Sequence, residues 1–502
     1  MRASLRAAGA VALLVNYYVL TIGLVCAILF VEVYALINRP VAAVQLAFLA
    51  LPVAYALVHL LVSLERRGHD EVPGVPVTAA EQPALWELVQ RLSADLGTRP
   101  PDELRVVAVV NSGISEDTRF LGLSVRHRRL FIGAPLLTTL TEKQLLAVLA
   151  TELGYYAQKY SRLAAVVISA RGAVLRAGSA LATDRWFKRL ATKLFRGYAT
   201  LFLRFSQPVA RARQRAADAH AARLAGSSAA SSALRELPVI DAAWDLFTNR
   251  HLTVAWDNGY LPTTFFEGFA HLRTSPELHA ELEELRQHPT DPDRGPHDPY
   301  PPLPDRIAAI DALHAEPESW GDRPALELLD DPMPLLDASV LDALVDDAGT
   351  KERVDWATLG HIGARARVVR GTERLLTAAA TATGGPPSLT TVLDALDAGL
   401  LAEIGPDSSV PGSPTAGPRA RRAMARTEVH AELSALLALA FSDAGLAHWQ
   451  VDWLGRTTFV TAADDFDLAD HLDEAVADQA DTQPLRHALA SAGIALDYRP
   501  TR

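Results

Sequence analysis

The chain has 502 residues, 49% of them hydrophobic and 21% charged, a globular balance over a length that calls for two or three folding units. Its net charge of −11 argues against nucleic acid as a default partner. The single cysteine, Cys26, lies inside an apolar stretch, which excludes a disulfide within the chain and a thiolate metal site.

The first element is an apolar run from Ala7 to Tyr34, interrupted only by Asn16, Thr21 and Glu32. A second run, Val41 to Leu64, has Gln45, His59 and Ser63 as its polar members. Each exceeds the roughly 20 residues that cross a bilayer core as a helix. Asn38, Arg39 and Pro40 form a turn between them, so residues 1–70 read as a transmembrane hairpin. The basic Arg2 and Arg6 raise a signal peptide as the rival reading. Against it stand the length of the run and the second span that follows at once. A buried helical pair in a soluble core is the remaining alternative. Arg2, Arg6, Arg66 and Arg67 flank the pair against a lone Arg39 in the turn. The positive-inside rule then places both termini and the main domain in the cytoplasm of a multi-pass membrane protein.

After a short linker (72–78), Pro83 to Leu96 has helical spacing through Leu85, Leu88, Val89 and Leu92. Leu104 to Val110 is β-branched, and Arg119 to Val125 and Arg129 to Ile132 alternate as antiparallel strands do. Thr141 with Gln144 makes a capping box for a helix running to about Tyr160. A further helix is expected to start near Pro208 and stop at Gly226. Between Ser161 and Arg223 there are 13 Lys/Arg against only Asp184 and Asp218, interleaved with apolar residues such as Val167, Phe202 and Phe205. Beside a membrane hairpin this pattern fits an anionic leaflet better than nucleic acid; a solvated basic face is the plain alternative. Residues 317–347 are acidic and helical in pattern, and 405–426 is Pro/Gly/Ser-rich with a basic end, a linker composition. Beyond it, Trp449–Trp453 and Thr457–Thr461 flank Leu454–Arg456 as a hairpin, with helices and a last strand near Ile494–Tyr498. Alanine, arginine and aspartate usage with little lysine suggests a GC-rich bacterial genome.

Residues 144–163 read QLLAVLATELGYYAQKYSRL. Here the chain resembles the HtpX-like and CAAX-prenyl-protease family of membrane zinc endopeptidases, whose corresponding helix carries H-E-x-x-H. The family's second pattern, E-x-x-A-D, is matched by Gln214-Arg215-Ala216-Ala217-Asp218 with Ala222, Leu224 and Gly226 following. Asn111-Ser112 stands where the family has Asn-Ala. Phe131-Ile132-Gly133-Ala134-Pro135-Leu136-Leu137 matches its strand-to-helix passage, and Tyr300-Pro301-Pro302-Leu303 with Arg306-Ile307 resembles its closing H-P-P-L-x-x-R-I. The resemblance runs in order over roughly residues 80–315. It implies an α+β, mainly helical fold class: the hairpin (1–70), a gluzincin-like metallopeptidase domain (71–320), a helical extension (321–404), the linker (405–426) and a small α+β module (427–502).

The departures fall where the chemistry would be. H-E-x-x-H works because residues i and i+4 share a helix face, so two imidazoles grip one metal while the glutamate activates its water. The resemblance places the ligands at Thr151, Tyr155 and Gln214, none of them a histidine, cysteine or carboxylate. Glu152, the family's general base, and Asp218, its supporting carboxylate, remain. They are expected to be tied into a hydrogen-bond network with the three substituted side chains, because a buried carboxylate must be paired or protonated. His220, two residues after Asp218, faces another side of its helix and does not rebuild a site. No metal or other cofactor is therefore expected. The expected function is a catalytically inactive peptidase homologue that contacts membrane lipids through the hairpin and the basic 161–223 segment. It would bind a protein or peptide partner, with Asn111, Ser112 and Tyr300 as cleft residues. An active membrane metalloendopeptidase with an atypical site is the competing reading.

Overall fold

The computed structural model describes residues 2–65, 72–119, 124–157, 186–291, 300–317, 320–344, 346–405, 418–453, 456–461, 469–477 and 479–501, with Val167, Ala170, Arg171, Val174 and Asp298. Arg66 and Arg67, Arg162, Arg176 and Arg185 of the basic segment, residues 406–417 of the linker and Leu454 of the hairpin turn lie outside the described residues. Two compact units result, Met1–Trp244 with His279–Val345 and Asp245–Leu278 with Asp346–Arg502.

In the first unit, helices Arg2–Asn38 and Pro40–Glu65 pack against each other. The Arg39 N–H still donates to the Ala35 carbonyl at 2.7 Å, so the turn is as tight as the sequence suggested. Within the first helix, Tyr18–Asn38 is long and apolar enough, by length and composition, to cross a membrane; it is 21 residues long, with a mean hydropathy of 2.5 and 6% buried. Phe30, Ile37, Val41 and Phe48 are each more than 70% exposed, an apolar surface of the kind that a membrane or another protein covers.

The sheet follows in the order β1-β2-β4-β3, from Val75–Val77 (β1), Glu103–Val107 (β2), Ser112–Arg119 (β3) and Ser124–Gly133 (β4). β2 pairs parallel with β4, whereas β1–β2 and β3–β4 are antiparallel, leaving β3 at an edge. Most of the expected strand Arg119–Val125 (residues 120–123) lies outside the described residues; the edge strand described, Ser112–Arg119, was not anticipated. Ser112–Arg119 reads SGISEDTR, with almost no apolar alternation, and it is held as a strand by its partner. Glu116 lies opposite Arg128 and pairs with it at 2.6 Å, and Asp117 reaches Arg129 at 3.0 Å. Each cross-strand pair adds roughly 0.2–1 kcal/mol and fixes the register. Gly133 closes β4 where a Cβ would stand 2.2 Å from the Val109 carbonyl oxygen and 2.8 Å from that of Asn111, so only glycine lets the backbones approach.

Helix Pro83–Asp95 starts on a first-turn proline and buries Leu85, Leu88, Val89 and Leu92 at helical spacing. Helix Glu142–Ala157 opens with the predicted reciprocal cap: the Thr141 N–H donates to Gln144 Oε1 (2.9 Å) and the Gln144 N–H to Thr141 Oγ1 (3.3 Å). The next helix, Trp186–Ala225, begins well before Pro208, which sits in its interior. An interior proline removes one backbone hydrogen bond at a cost of about 3 kcal/mol; here the helix packs against both N-terminal helices and against Glu142–Ala157, and that burial outweighs the cost. Its end is as expected, with Gly226 at φ +87°.

The second unit contains the parallel pair β5 (Tyr260–Pro262) and β6 (Glu352–Val354), helix Trp356–Thr383, helix Leu389–Asp397, helix Pro418–Asp443 and the hairpin β7 (Ala447–Val451) and β8 (Thr457–Thr461). Its core is built from fully buried Leu375, Leu389, Val392, Leu393, Leu433 and Leu436. The basic end of the expected linker, Arg419 to Arg426, is helical, because Pro418 supplies a favoured start and the residues after it propagate a helix. Ile494–Tyr498 is not a strand. The Leu496 and Tyr498 carbonyls instead accept the N–H groups of Thr390 and Leu389 at a helix start, satisfying donors that a helix leaves open.

Candidate functional site

Two helices build the site. Glu142–Ala157 carries Thr151, Glu152, Tyr155 and Tyr156, and Trp186–Ala225 carries Gln214 and Asp218 one turn apart. They cross closely where Gly154 meets Ala217, since a Cβ on Gly154 would already stand 3.6 Å from the Ala217 Cα. Small residues at the crossing bring the polar positions of the two helices into one region.

Asp218 is 3% exposed and forms the centre of the charge arrangement. It accepts Arg306 Nε at 2.9 Å and Arg306 Nη2 at 2.8 Å, a two-pronged pair, and Gln214 Nε2 at 3.0 Å. Gln214 is 3% exposed and Arg306 8%. Burial works against the Arg306 cation, but the hydrogen bonds and charge of Asp218 hold its pKa above the ordinary arginine value. The Arg306 guanidinium also lies 5.6 Å from the ring of Tyr300, whose N–H donates to Asp298 Oδ1 at 2.9 Å.

Tyr155 points into a different set of contacts. Its carbonyl accepts Arg213 Nε, and the Arg213 guanidinium lies 4.7 Å over its ring. Burial pushes the Tyr155 phenol above its ordinary pKa, against the pull of the Arg213 and Arg171 cations. Tyr156 donates its hydroxyl to the Ile114 carbonyl of β3 at 3.1 Å, and burial, aided by Glu152 and Glu116, raises its pKa further. Both phenols are thus neutral at ordinary pH. The Thr151 hydroxyl donates to the Ala147 carbonyl of its own helix at 3.0 Å. Glu152 is half-buried beside these groups. Asn111 and Ser112 are joined locally: Asn111 Oδ1 accepts the Ser112 N–H at 2.9 Å, and Ser112 Oγ donates to the Phe131 carbonyl at 3.1 Å.

The structure therefore brings Gln214 and Asp218 together, turns Thr151 back on its own helix and engages the Tyr155 backbone with Arg213. Sequence reasoning missed the two guanidiniums. Arg306 was visible only as part of a motif, although a buried aspartate calls for a cation; Arg213, adjacent to Gln214, carried no signal of its own.

These residues do not fit a catalytic zinc ion. A protonated phenol, a hydroxyl committed to its own helix and an amide bound to Asp218 supply none of the imidazole, thiolate or carboxylate donors such a site uses. Among the described residues, no three His, Cys, Asp or Glu side chains converge elsewhere in a metal-holding group. Residues 79–314 match the model of peptidase family M48, so an M48 peptidase-family domain is present and the protein is metallopeptidase-like. No curated protein and no solved structure matches the chain.

Proposed function

We propose that the protein is a membrane-anchored, HtpX-like member of this peptidase group that has lost catalysis and binds a protein or peptide instead of cutting it. The carrying observation is the Gln214–Asp218–Arg306 cluster, buried and internally paired where the resemblance calls for a third zinc ligand and its supporting carboxylate. A metal-dependent general base has little to act on there: Glu152 keeps its place, but Thr151, Tyr155 and Gln214 are not the donors that hold an ion able to acidify a water. The hairpin anchors the chain as two spans with the peptidase-like domain on the cytoplasmic face, and the basic 161–223 segment lies against anionic lipid. The exposed apolar side chains of both N-terminal helices support the anchoring. The edge position of β3 supports the binding role, since an extended peptide can add to a free strand edge without being cleaved.

Elemental mass spectrometry of the detergent-purified protein, paired with a casein-type proteolysis assay on wild type and Glu152→Gln, tests this reading. Absence of stoichiometric zinc and of cleavage is the expected result. Zinc near one per chain together with cleavage lost in the variant would overturn it and establish an active metalloendopeptidase with an atypical site.

A further inference from the structure

The second unit encloses a cavity of about 760 Å³ that the peptidase reading does not use. Its size falls within the range of roughly 300–1,000 Å³ typical of small-molecule sites. The walls are one face of helix Trp356–Thr383, strand β7 with the residues up to Trp453, and the segment around His251. Two glycines of that helix shape the floor. A Cβ on Gly360 would meet Val451 at 3.3 Å and one on Gly363 would meet Val254 at 3.1 Å, so their absence lets the hairpin and the Val254 helix close over the helix face.

Three indoles line this space, and each is braced from outside it. Trp356 donates Nε1–H to the Thr264 carbonyl at 2.8 Å. Trp453 packs on Trp356 at 5.4 Å and stacks on His271 at 5.7 Å with 12° between the planes. Trp449 rests on Phe459 at 5.3 Å and beside His361 at 5.6 Å. Rigid indole faces offer a flat ring a stacking surface at little cost in ordering.

The polar groups are few and set by their partners. His361 Nδ1 accepts the Trp449 N–H at 3.3 Å, leaving Nε2–H as a donor. His251 lies 3.0 Å from the Trp453 carbonyl through Nε2, which fixes that nitrogen as the donor. Burial holds both imidazoles below the ordinary histidine pKa, so both are neutral at pH near 7. Ser442 Oγ is buried in the wall with no hydrogen-bond partner among the described residues, a polar atom that a ligand or a water could satisfy. The fixed charges are Arg250 and Arg367 against one acid, Asp452, whose Oδ1 already accepts the Arg456 N–H at 2.8 Å. Arg367 is exposed at the rim and makes no ion pair among the described residues.

We propose that this cavity binds a small organic anion built on a flat aromatic ring, the ring resting against the indoles that line it and the phosphate or carboxylate held by Arg367. A cation-binding aromatic cage is disfavoured by the two arginines at the same opening. Nucleotides and aromatic carboxylates share this chemistry, and the test separates them.

The experiment titrates the full-length detergent-purified protein with AMP and adenosine, and with indole-3-acetate and tryptamine, followed by calorimetry and tryptophan fluorescence. Saturable binding of AMP or of indole-3-acetate is expected, with the uncharged or cationic partner of that pair at least roughly tenfold weaker, as loss of a charged hydrogen bond implies. Arg367→Glu, a rim substitution that leaves the packed walls intact, should weaken the anion by a similar factor or more without moving the unfolding midpoint. Trp453→Phe should weaken it less, since a smaller ring still stacks. Failure of both anions to bind at millimolar concentration, equal binding by tryptamine, or unchanged affinity in Arg367→Glu would each overturn the proposal. Zinc content and proteolysis do not enter these readouts, so the site stands or falls independently of the peptidase reading.

Discussion

Replacing Asp218 with asparagine tests whether the centre of the peptidase-like site is a structural ion pair. The substitution preserves shape but removes the one charge that the Arg306 fork contacts among the described residues, at 2.8 and 2.9 Å, with both partners under a tenth exposed. Breaking a buried pair in this way costs about 3–5 kcal/mol, because the guanidinium is left without compensation. Against a typical domain stability of roughly 5–15 kcal/mol, that is at least about a fifth of the total. Asp218→Leu combined with Arg306→Met removes both charges and should cost far less than Asp218→Asn alone. Denaturant unfolding of the purified protein measures wild type and both variants, and on the proposed reading chelator added to wild type should leave the midpoint in place, since that reading gives the fold no metal-binding free energy to lose. Because the Arg306 pKa is raised in the fold, its contribution is complete below the unfolded arginine value and is lost only as pH rises through the folded one. The cost of Asp218→Asn should therefore be flat from about pH 6 to pH 9. A cost below about 1 kcal/mol, or a midpoint lowered by chelator, would refute the reasoning.

Thr141→Ala removes one half of the reciprocal cap on helix Glu142–Ala157 and should cost about 1 kcal/mol in the same unfolding assay, with Thr141→Ser restoring most of it. His251 and His361 are held below the ordinary value of 6.5 by burial; a depressed histidine contributes stability above its unfolded pKa and loses it as pH falls through the folded one. The second unit, followed by tryptophan fluorescence, should therefore unfold more readily at about pH 5 than at about pH 7.5, and His251→Gln should flatten that slope. Thr151→His with Tyr155→His and Gln214→Glu returns imidazole and carboxylate to the three ligand positions while keeping Glu152 and Asp218. Elemental mass spectrometry should then find more zinc per chain than in wild type, and a variant that folds but takes up no metal would show that the helices do not present these positions to one point.

Features fixed by local chemistry were readable from the residues alone. The Thr141–Gln144 cap, the helix at Pro83, the terminus at Gly226 and the β7–β8 hairpin each depend on residues a few positions apart, and each formed where expected. The misses share a cause of opposite kind. Ser112–Arg119 is a strand because Arg128 and Arg129 face its acids across the sheet, not because its own pattern alternates. Pro208 carries a helix-start preference that packing along Trp186–Ala225 overrides. The extended end at Leu496 and Tyr498 is used by the start of a distant helix rather than by a sheet. In the site itself, the motif located Gln214 and Asp218 but not their partner, since Arg306 lies 88 residues from Asp218 and only the fold joins them.

Charge balance would let such a site stand without a metal, as the proposed reading requires. In a catalytic zinc centre, a dication and an anionic ligand offset each other, and stripping either leaves an uncompensated charge in a closed space. Here each position that the resemblance gives to a zinc ligand is neutral: a hydroxyl bonded to Ala147, a phenol raised above its ordinary pKa and an amide bonded to Asp218. The buried charge among them is matched without an ion, Asp218 by Arg306. Introducing a dication would add charge where no anionic ligand answers it, and would have to compete with Arg306 for the one buried carboxylate. Reverting a single ligand position therefore gains little, because one imidazole cannot repay that cost, whereas the three changes together alter both donor set and charge. The difference in zinc uptake between Tyr155→His alone and the triple variant measures how far the substituted side chains act as one unit.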